Sequence, residues 1–211
     1  MADTNTLTAD EQAAGWRLLF DGTSMDPWRG FQRDDVPEGW RVEEGTIHRG
    51  DGGGDILTRK PFGDFELSIE WKVAGPGNSG IMFRVSEDAD ATYMTGPEYQ
   101  ILNNAVHPDG RNPLTTAGSN YALHAPTKDM TKPVGEWNHT LIKVQGPHVE
   151  HWMNGERIVE YELWSDEWES RVADSKFAQW PGYGRNKVGY IVLQDHGDPV
   201  WYRNIKIRKL D

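Results

Sequence analysis

The chain has 211 residues, no cysteine, and 33 acidic against 22 basic side chains, a formal net charge of −11. Disulfides, thiolate metal sites and cysteine nucleophiles are therefore excluded, and an anionic surface of this size disfavours nucleic acid and anionic membrane partners. No apolar run approaches the ~18–20 residues of a membrane helix, and the length suits a single domain.

Met1 to Glu11 is polar and acidic and lacks the basic start and apolar middle of a secretory signal. The expectation is a cytoplasmic protein, or the mature form of an exported one. Thr8-Ala-Asp-Glu11 reads as a capping box, so a short helix over about 9–14 is expected, ended by Gly15. Residues 1–15 form an N-terminal extension, and 16–211 form one domain.

Most of the rest reads as strands. Residues 65–73 alternate without a fault, with Phe65, Leu67, Ile69, Trp71 and Val73 on one face. After the turn Gly75-Pro-Gly-Asn78, residues 79–85 place Ile81, Phe83 and Val85 inward and Gly80, Met82 and Arg84 outward. Residues 98–103 place Tyr99 and Ile101 inward, with Glu98 and Gln100 opposite. A short extended piece is expected at 121–124. Strands at 138–145, 148–153 and 156–162 are joined by Gly146-Pro147 and by the hairpin signal Asn154-Gly155. Ser165 caps a helix expected to run to about Phe177, and strands follow at 188–194 and 200–208. Many short strands between turns, with one or two short helices, make an all-β antiparallel sandwich or jelly roll.

Chemistry is sought on the outward faces. Arg84 is uncomfortable as plain surface, and Gln194-Asp-His196 sets a polar trio directly after an apolar strand. His196 is the leading site histidine, and His124 is as readily a structural residue as a ligand. His48, His107, His139, His148 and His151 read as structural. No zinc, calcium or nucleotide motif is present, and no nucleophile elbow. A divalent ion held by Glu70, Glu98 and His196 from distant strands is a possibility that motifs would not reveal. Glu66 and Glu70 lie ~13 Å apart along one strand, too far for the carboxyl pair of a glycosidase. Glu70 and Glu98 on neighbouring strands could still approach.

The chain resembles the 3-keto-disaccharide hydrolase family. The matching segments stand in order: Trp16-Arg-Leu-Leu-Phe-Asp-Gly22, Trp40-Arg-Val-Glu-Glu-Gly45, Asp64-Phe-Glu-Leu67, Asn78-Ser-Gly-Ile-Met-Phe-Arg84, Gly96-Pro-Glu-Tyr-Gln-Ile-Leu102, Gly135-Glu-Trp-Asn138, Asn154-Gly155, Ser175-Lys-Phe177, Leu193-Gln-Asp-His-Gly197 and Arg203-Asn-Ile205. The resemblance implies a concanavalin A-like jelly roll and a carbohydrate substrate whose C3 hydroxyl is already a ketone. That ketone acidifies the C2 proton, so the C1 substituent leaves by elimination and water then adds. Such chemistry needs one base and a group to hold the enolate oxygen. On this reading His196 is the base, because a histidine's intrinsic pKa is close to working pH, with Glu98 second. Arg84, or a metal held by the acids, steadies the enolate. Gln100, Gln194, Glu70 and His124 bind the sugar. The family's Gln-Ile stretch commonly continues to an acid, where this chain has Asn103. A non-catalytic carbohydrate-binding module is the alternative, distinguished by whether Arg84, Glu98 and His196 converge in one groove.

Overall fold

The computed structural model describes residues 4–210. In chain order they form α1 (Ala9–Ala13), β1 (Arg17–Leu18), β2 (Trp28–Gly30), β3 (Trp40–Glu43), β4 (Thr46–Arg49), β5 (Ile56–Thr58), β6 (Phe65–Val73), β7 (Asn78–Val85), β8 (Glu98–Leu102), β9 (Asn138–Gln145), β10 (His148–Met153), β11 (Glu156–Glu162), α2 (Asp166–Ala173), β12 (Tyr190–Leu193) and β13 (Val200–Lys209). The larger sheet has the order β11-β10-β9-β6-β13-β4-β3, with β1 also paired to β13; the smaller runs β2-β5-β12-β7-β8. Every pairing is antiparallel. The fold is an antiparallel β-sandwich of the jelly-roll type.

The core follows from the alternation. Phe65, Leu67, Ile69 and Trp71 of β6 and Ile205 and Ile207 of β13 face Ile81, Phe83, Tyr99 and Ile101 of the smaller sheet, all buried. The opposite face of the smaller sheet carries its own apolar patch of Leu57, Met82, Val85 and Val192, flanked by Phe31 and Tyr190. Glu98 and Gln100 share that outer face because they alternate with Tyr99 and Ile101.

Three expectations are corrected. Arg84 does not continue the outward series. Met82 pairs with Val192 and Val85 with Tyr190, so β7 carries an extra residue against β12. The backbone of Arg84 turns to φ 53° there, and the bulge reverses the facing of the residues beyond it. Val85 thus joins Met82 outside, not Ile81 inside. Residues 121–124 are a turn rather than a strand, with Ala122 at φ 63°. The helix expected over 165–177 stops at Ala173; Ser175 then starts a separate 3-10 turn, Lys176–Gln179, its hydroxyl accepting from the Phe177 amide at 3.1 Å. The Ser175 hydroxyl also donates to the Val172 carbonyl at 2.9 Å, competing with the backbone for that acceptor where the helix ends.

The N-terminal capping box forms as expected, and α1 covers Ala9–Ala13. Ahead of it, Asn5 is tied across the chain: its amide N–H donates to Asn204 Oδ1 at 2.6 Å, and the Asn204 N–H donates to Asn5 Oδ1 at 2.8 Å.

Candidate active site

A cavity of ≈ 250 Å³ opens on the outer face of the smaller sheet. Its floor is built by Asn78 from β7 and by Glu98 and Gln100 from β8, with Gln194 just past β12. The Gln194 N–H donates to the Gly80 carbonyl at 2.9 Å, which fixes the end of β12 against β7. Gly80 leaves the space that the Glu98 carboxyl fills. Tyr93, Tyr121, Lys176, Asp55, Asp195 and His196 complete the lining from the connecting segments. The break after α2 is what brings Lys176 to the rim. Its ammonium lies 4.3 Å from the centre of the Tyr121 ring.

Glu98 is 6% exposed. Burial pushes its carboxyl up to about 8, against the weaker opposing pull of Lys176. The Gln100 amide, turned so that its nitrogen faces acceptors, donates to Glu98 Oε1 at 3.0 Å and to the Ser79 carbonyl at 2.9 Å. Among the described residues no cation sits within ion-pair distance of Glu98. A carboxyl so placed keeps its proton near neutral pH and can donate it in a hydrogen bond. Asn78 Oδ1 and Gln194 Oε1 are buried without a partner. Two orphaned acceptors in one cavity suit the hydroxyls of a sugar.

His196 is exposed at the mouth, edge-on to His107 with ring centres 6.5 Å apart. Its loop is tightly held. Asp195 pairs with Arg49 at 2.5 Å and accepts from the N–H groups of Gly54 (2.7 Å) and Gly197 (2.9 Å). Asp55 accepts from the Asp195 N–H at 2.8 Å and from the Thr92 hydroxyl. Burial raises the Asp55 carboxyl, opposed by those bonds.

The cavity brings together Glu98, Gln100, Gln194 and His196 of the residues singled out in the sequence. Three others lie elsewhere. Arg84 is 2% exposed and bound to Asp64 at 2.9 Å, with Trp164 5.5 Å from its guanidinium; the bulge at 84 carried it away from the cavity. Glu70 is on the larger sheet and pairs with Arg203 at 2.7 Å. His124 is packed on the Tyr161 ring at 4.7 Å and bonded to Asn120 (2.9 Å) and Glu167 (3.2 Å), beside α2. Burial lowers its pKa, so it stays a neutral structural group. Glu70, Glu98 and His196 therefore do not converge as metal ligands. Among the described residues, the group of three His, Asp or Glu side chains whose ligand atoms all lie within 4.8 Å of one another is His148, Glu150 and Glu160, and Arg157 already reaches both of those acids.

Asn103 is not in the cavity. Its amide donates to the Gly75 carbonyl at 2.6 Å and accepts from the Ala105 N–H at 3.2 Å. It holds a turn, a task for which an amide is suited and an aspartate, lacking the N–H, is not. Asp55, Asn78, Tyr93, Tyr121, Lys176 and Asp195 were not singled out as site residues from the sequence. Asn78, Lys176 and Asp195 fall inside segments that carried the resemblance; the other three are loop residues with no local signal.

The chain matches, over residues 15–208, the family described as the 3-keto-alpha-glucoside-1,2-lyase-like domain. A curated relative from Bacteroides thetaiotaomicron, named 3-keto-disaccharide hydrolase, is 37% identical over 242 aligned residues, covering 100% of this chain and 83% of that protein. A solved chain from Parabacteroides distasonis, provisionally described as a glycosyl hydrolase, superposes with a TM-score of 0.93 at 36% identity, covering 99% of this chain and 100% of that one. Carbohydrate binding module CBM66 from Bacillus subtilis, at 13% identity and a TM-score of 0.55 over 87% of this chain and 96% of that one, shares the fold alone.

Proposed function

The chain belongs to the 3-keto-disaccharide hydrolase family, and we propose that it cleaves 3-keto-glycosides by elimination and rehydration in the cavity described above. His196, at the mouth, removes the C2 proton. The electron pair moves onto the C3 oxygen as an enolate. Glu98, neutral near pH 7, donates a hydrogen bond to that oxygen, and the Lys176 ammonium adds positive charge nearby. When the enolate collapses, the C1–O bond breaks and a C1=C2 double bond forms. The departing oxygen takes a proton. Water adds at C1 and C2 regains a proton, so the net reaction is hydrolysis. Glu98 and Lys176 thus take over the enolate-stabilising duty first expected of Arg84. Gln100, Gln194 and Asn78 bind the sugar hydroxyls.

The observation that carries this reading is the Glu98 carboxyl lining the cavity, raised to about 8 by burial and without an ion-pair partner among the described residues. A neutral acid at that point is of little use to a lectin and well suited to a developing oxyanion. A second reading, direct glycoside hydrolysis, draws on Asp55 and Glu98 lining the same cavity.

The test offers a 3-keto-glucoside and its unoxidised parent and follows release of the aglycone. Turnover of the ketone alone, slowed by deuterium at C2, supports elimination. Turnover of the parent, lost in Asp55→Asn, supports direct hydrolysis instead. Binding of both without turnover makes the protein a sugar-binding module. His196→Ala is expected to bind the ketone and not turn it over; normal turnover removes the base role.

A further inference from the structure

The cavity of ≈ 250 Å³ is smaller than the ~300–1,000 Å³ of pockets that enclose drug-sized ligands. It has room for one sugar ring. The C1 substituent of a glycoside must therefore lie outside it.

Three further depressions could take that group, and they are not equivalent. One of ≈ 430 Å³, lined by Trp71, Leu102 and Asn138, shares no residue with the cavity. One of ≈ 350 Å³ shares only Asp55, and that carboxylate is already bonded to Thr92 and to the Asp195 N–H. The largest, ≈ 490 Å³, shares two walls with the cavity, Tyr121 and Lys176. A ligand crossing from one to the other passes Lys176, whose ammonium lies over the Tyr121 ring and makes no ion pair among the described residues.

We infer that this largest depression is the subsite for the leaving group, and that Leu114 decides what enters it. The inference rests on the reaction proposed above. Its lining sets apolar Leu114 and Ala122 beside polar Asn112, Arg171, Asp174 and Ser175; Leu123 is only 1% exposed. A second pyranose has that division: a C–H face for Leu114, and hydroxyls at its edge for the polar side chains. The subsite takes the second sugar of a 3-keto-disaccharide. Lys176, common to both spaces, lies where the glycosidic oxygen crosses and can hydrogen-bond to it as the C1–O bond breaks.

The walls are preorganised. The Tyr121 N–H donates to the Glu98 carbonyl at 3.0 Å and the Ala122 N–H to the Leu114 carbonyl at 2.8 Å, so the loop is bound to the strand that carries the acid. Arg171 is anchored to the Leu123 carbonyl at 2.7 Å and to Glu167. Little ordering remains to be done on binding.

The experiment compares a 3-keto-disaccharide with methyl 3-keto-glucoside on the wild type, Leu114→Trp and Asp174→Trp. Leu114 is half-buried, and Asp174 is exposed at the end of α2, so the second variant fills the space even if the first disturbs folding. Both variants are expected to raise KM for the disaccharide roughly ten-fold or more and to leave the methyl glycoside within about two-fold. Equal effects on the two substrates, or no effect on either, overturn the subsite. If the wild type turns over neither ketone, the elimination reading fails first. The subsite is then judged by calorimetric binding: weakened disaccharide affinity with unchanged methyl glycoside affinity sustains it, and any other pattern rejects it.

Discussion

Gly80 lies directly beneath the Glu98 carboxyl: a Cβ there would stand 2.3 Å from Glu98 Oε1 and 2.8 Å from its Cδ. No left-handed backbone demands glycine at 80. The demand comes from the acid. Gly80→Ala should fold normally by circular dichroism and lose about 10²-fold in kcat, because a misplacement near 1 Å is enough to cost that much. Unchanged kcat would mean the carboxyl position is not used.

Glu98→Gln separates a donor from a base. Glutamine keeps an N–H for the enolate oxygen and cannot ionise. In the wild type, activity should fall as pH rises through about 8, where Glu98 loses its proton. The variant should keep activity within about ten-fold and lose that alkaline limb. A drop of ~10²–10⁴-fold at every pH would instead make Glu98 the base.

Stability should respond to two buried groups with opposite signs. Glu98 rises from 4.5 to about 8, so its contribution is full below pH 4.5 and disappears as pH climbs to 8. His151 is completely buried and falls from 6.5 to about 4. Its contribution is full above 6.5 and is lost as pH falls toward 4. At ~1.36 kcal/mol per pH unit each amounts to roughly 3–5 kcal/mol. The two slopes cancel between pH 4.5 and 6.5, leaving a plateau there and a decline from 6.5 to 8. Urea unfolding across pH 5–9 would trace it. Glu98→Gln should flatten the alkaline decline; a decline that persists assigns it to other groups.

The Arg49–Asp195 pair acts on chemistry through position. Both side chains are under 10% exposed (7% and 9%), and the aspartate also holds the Gly54 and Gly197 amides. Arg49→Leu leaves a buried charge unpaired, a loss of about 3 kcal/mol in unfolding free energy. The His196 loop should loosen, lowering kcat more than it raises KM. A variant that is destabilised with kcat intact would limit the pair to a structural role.

For Arg84 the expectation is the reverse. Arg84→Met should cost about 2 kcal/mol of stability, discounted for the partly exposed Asp64, with kcat and KM unchanged. A selective loss of kcat in a fully folded variant would return Arg84 to the reaction.

Much of this architecture is legible in the sequence where strands are long. Residues 65–73 alternate over enough positions to fix both the strand and its faces. Trp28–Gly30 and Ile56–Thr58 are three residues each, too short for any period to register. The facing of Glu98 and Gln100 reads correctly because β8 is regular. That of Arg84 fails because one inserted residue resets the parity, and nothing local announces it. Lys176 is masked in the sequence by a helix that ends at Ala173, about four residues earlier than its polar pattern suggests. Asp55, Tyr93 and Tyr121 reach the cavity from loops whose course is set by packing far along the chain.

The position of β13 bears on how the protein is made. The last strand is not an edge piece; it lies between β6 and β4 in the larger sheet and also receives β1 and Asn5. The two halves of that sheet have no shared neighbour until residues 200–209 are in place. Closure of that sheet therefore rests on long-range pairings, which form late in folding. A variant lacking residues 200–209 would lose its central seam, and two unpaired strand borders, on β6 and β4, would stand open to aggregation.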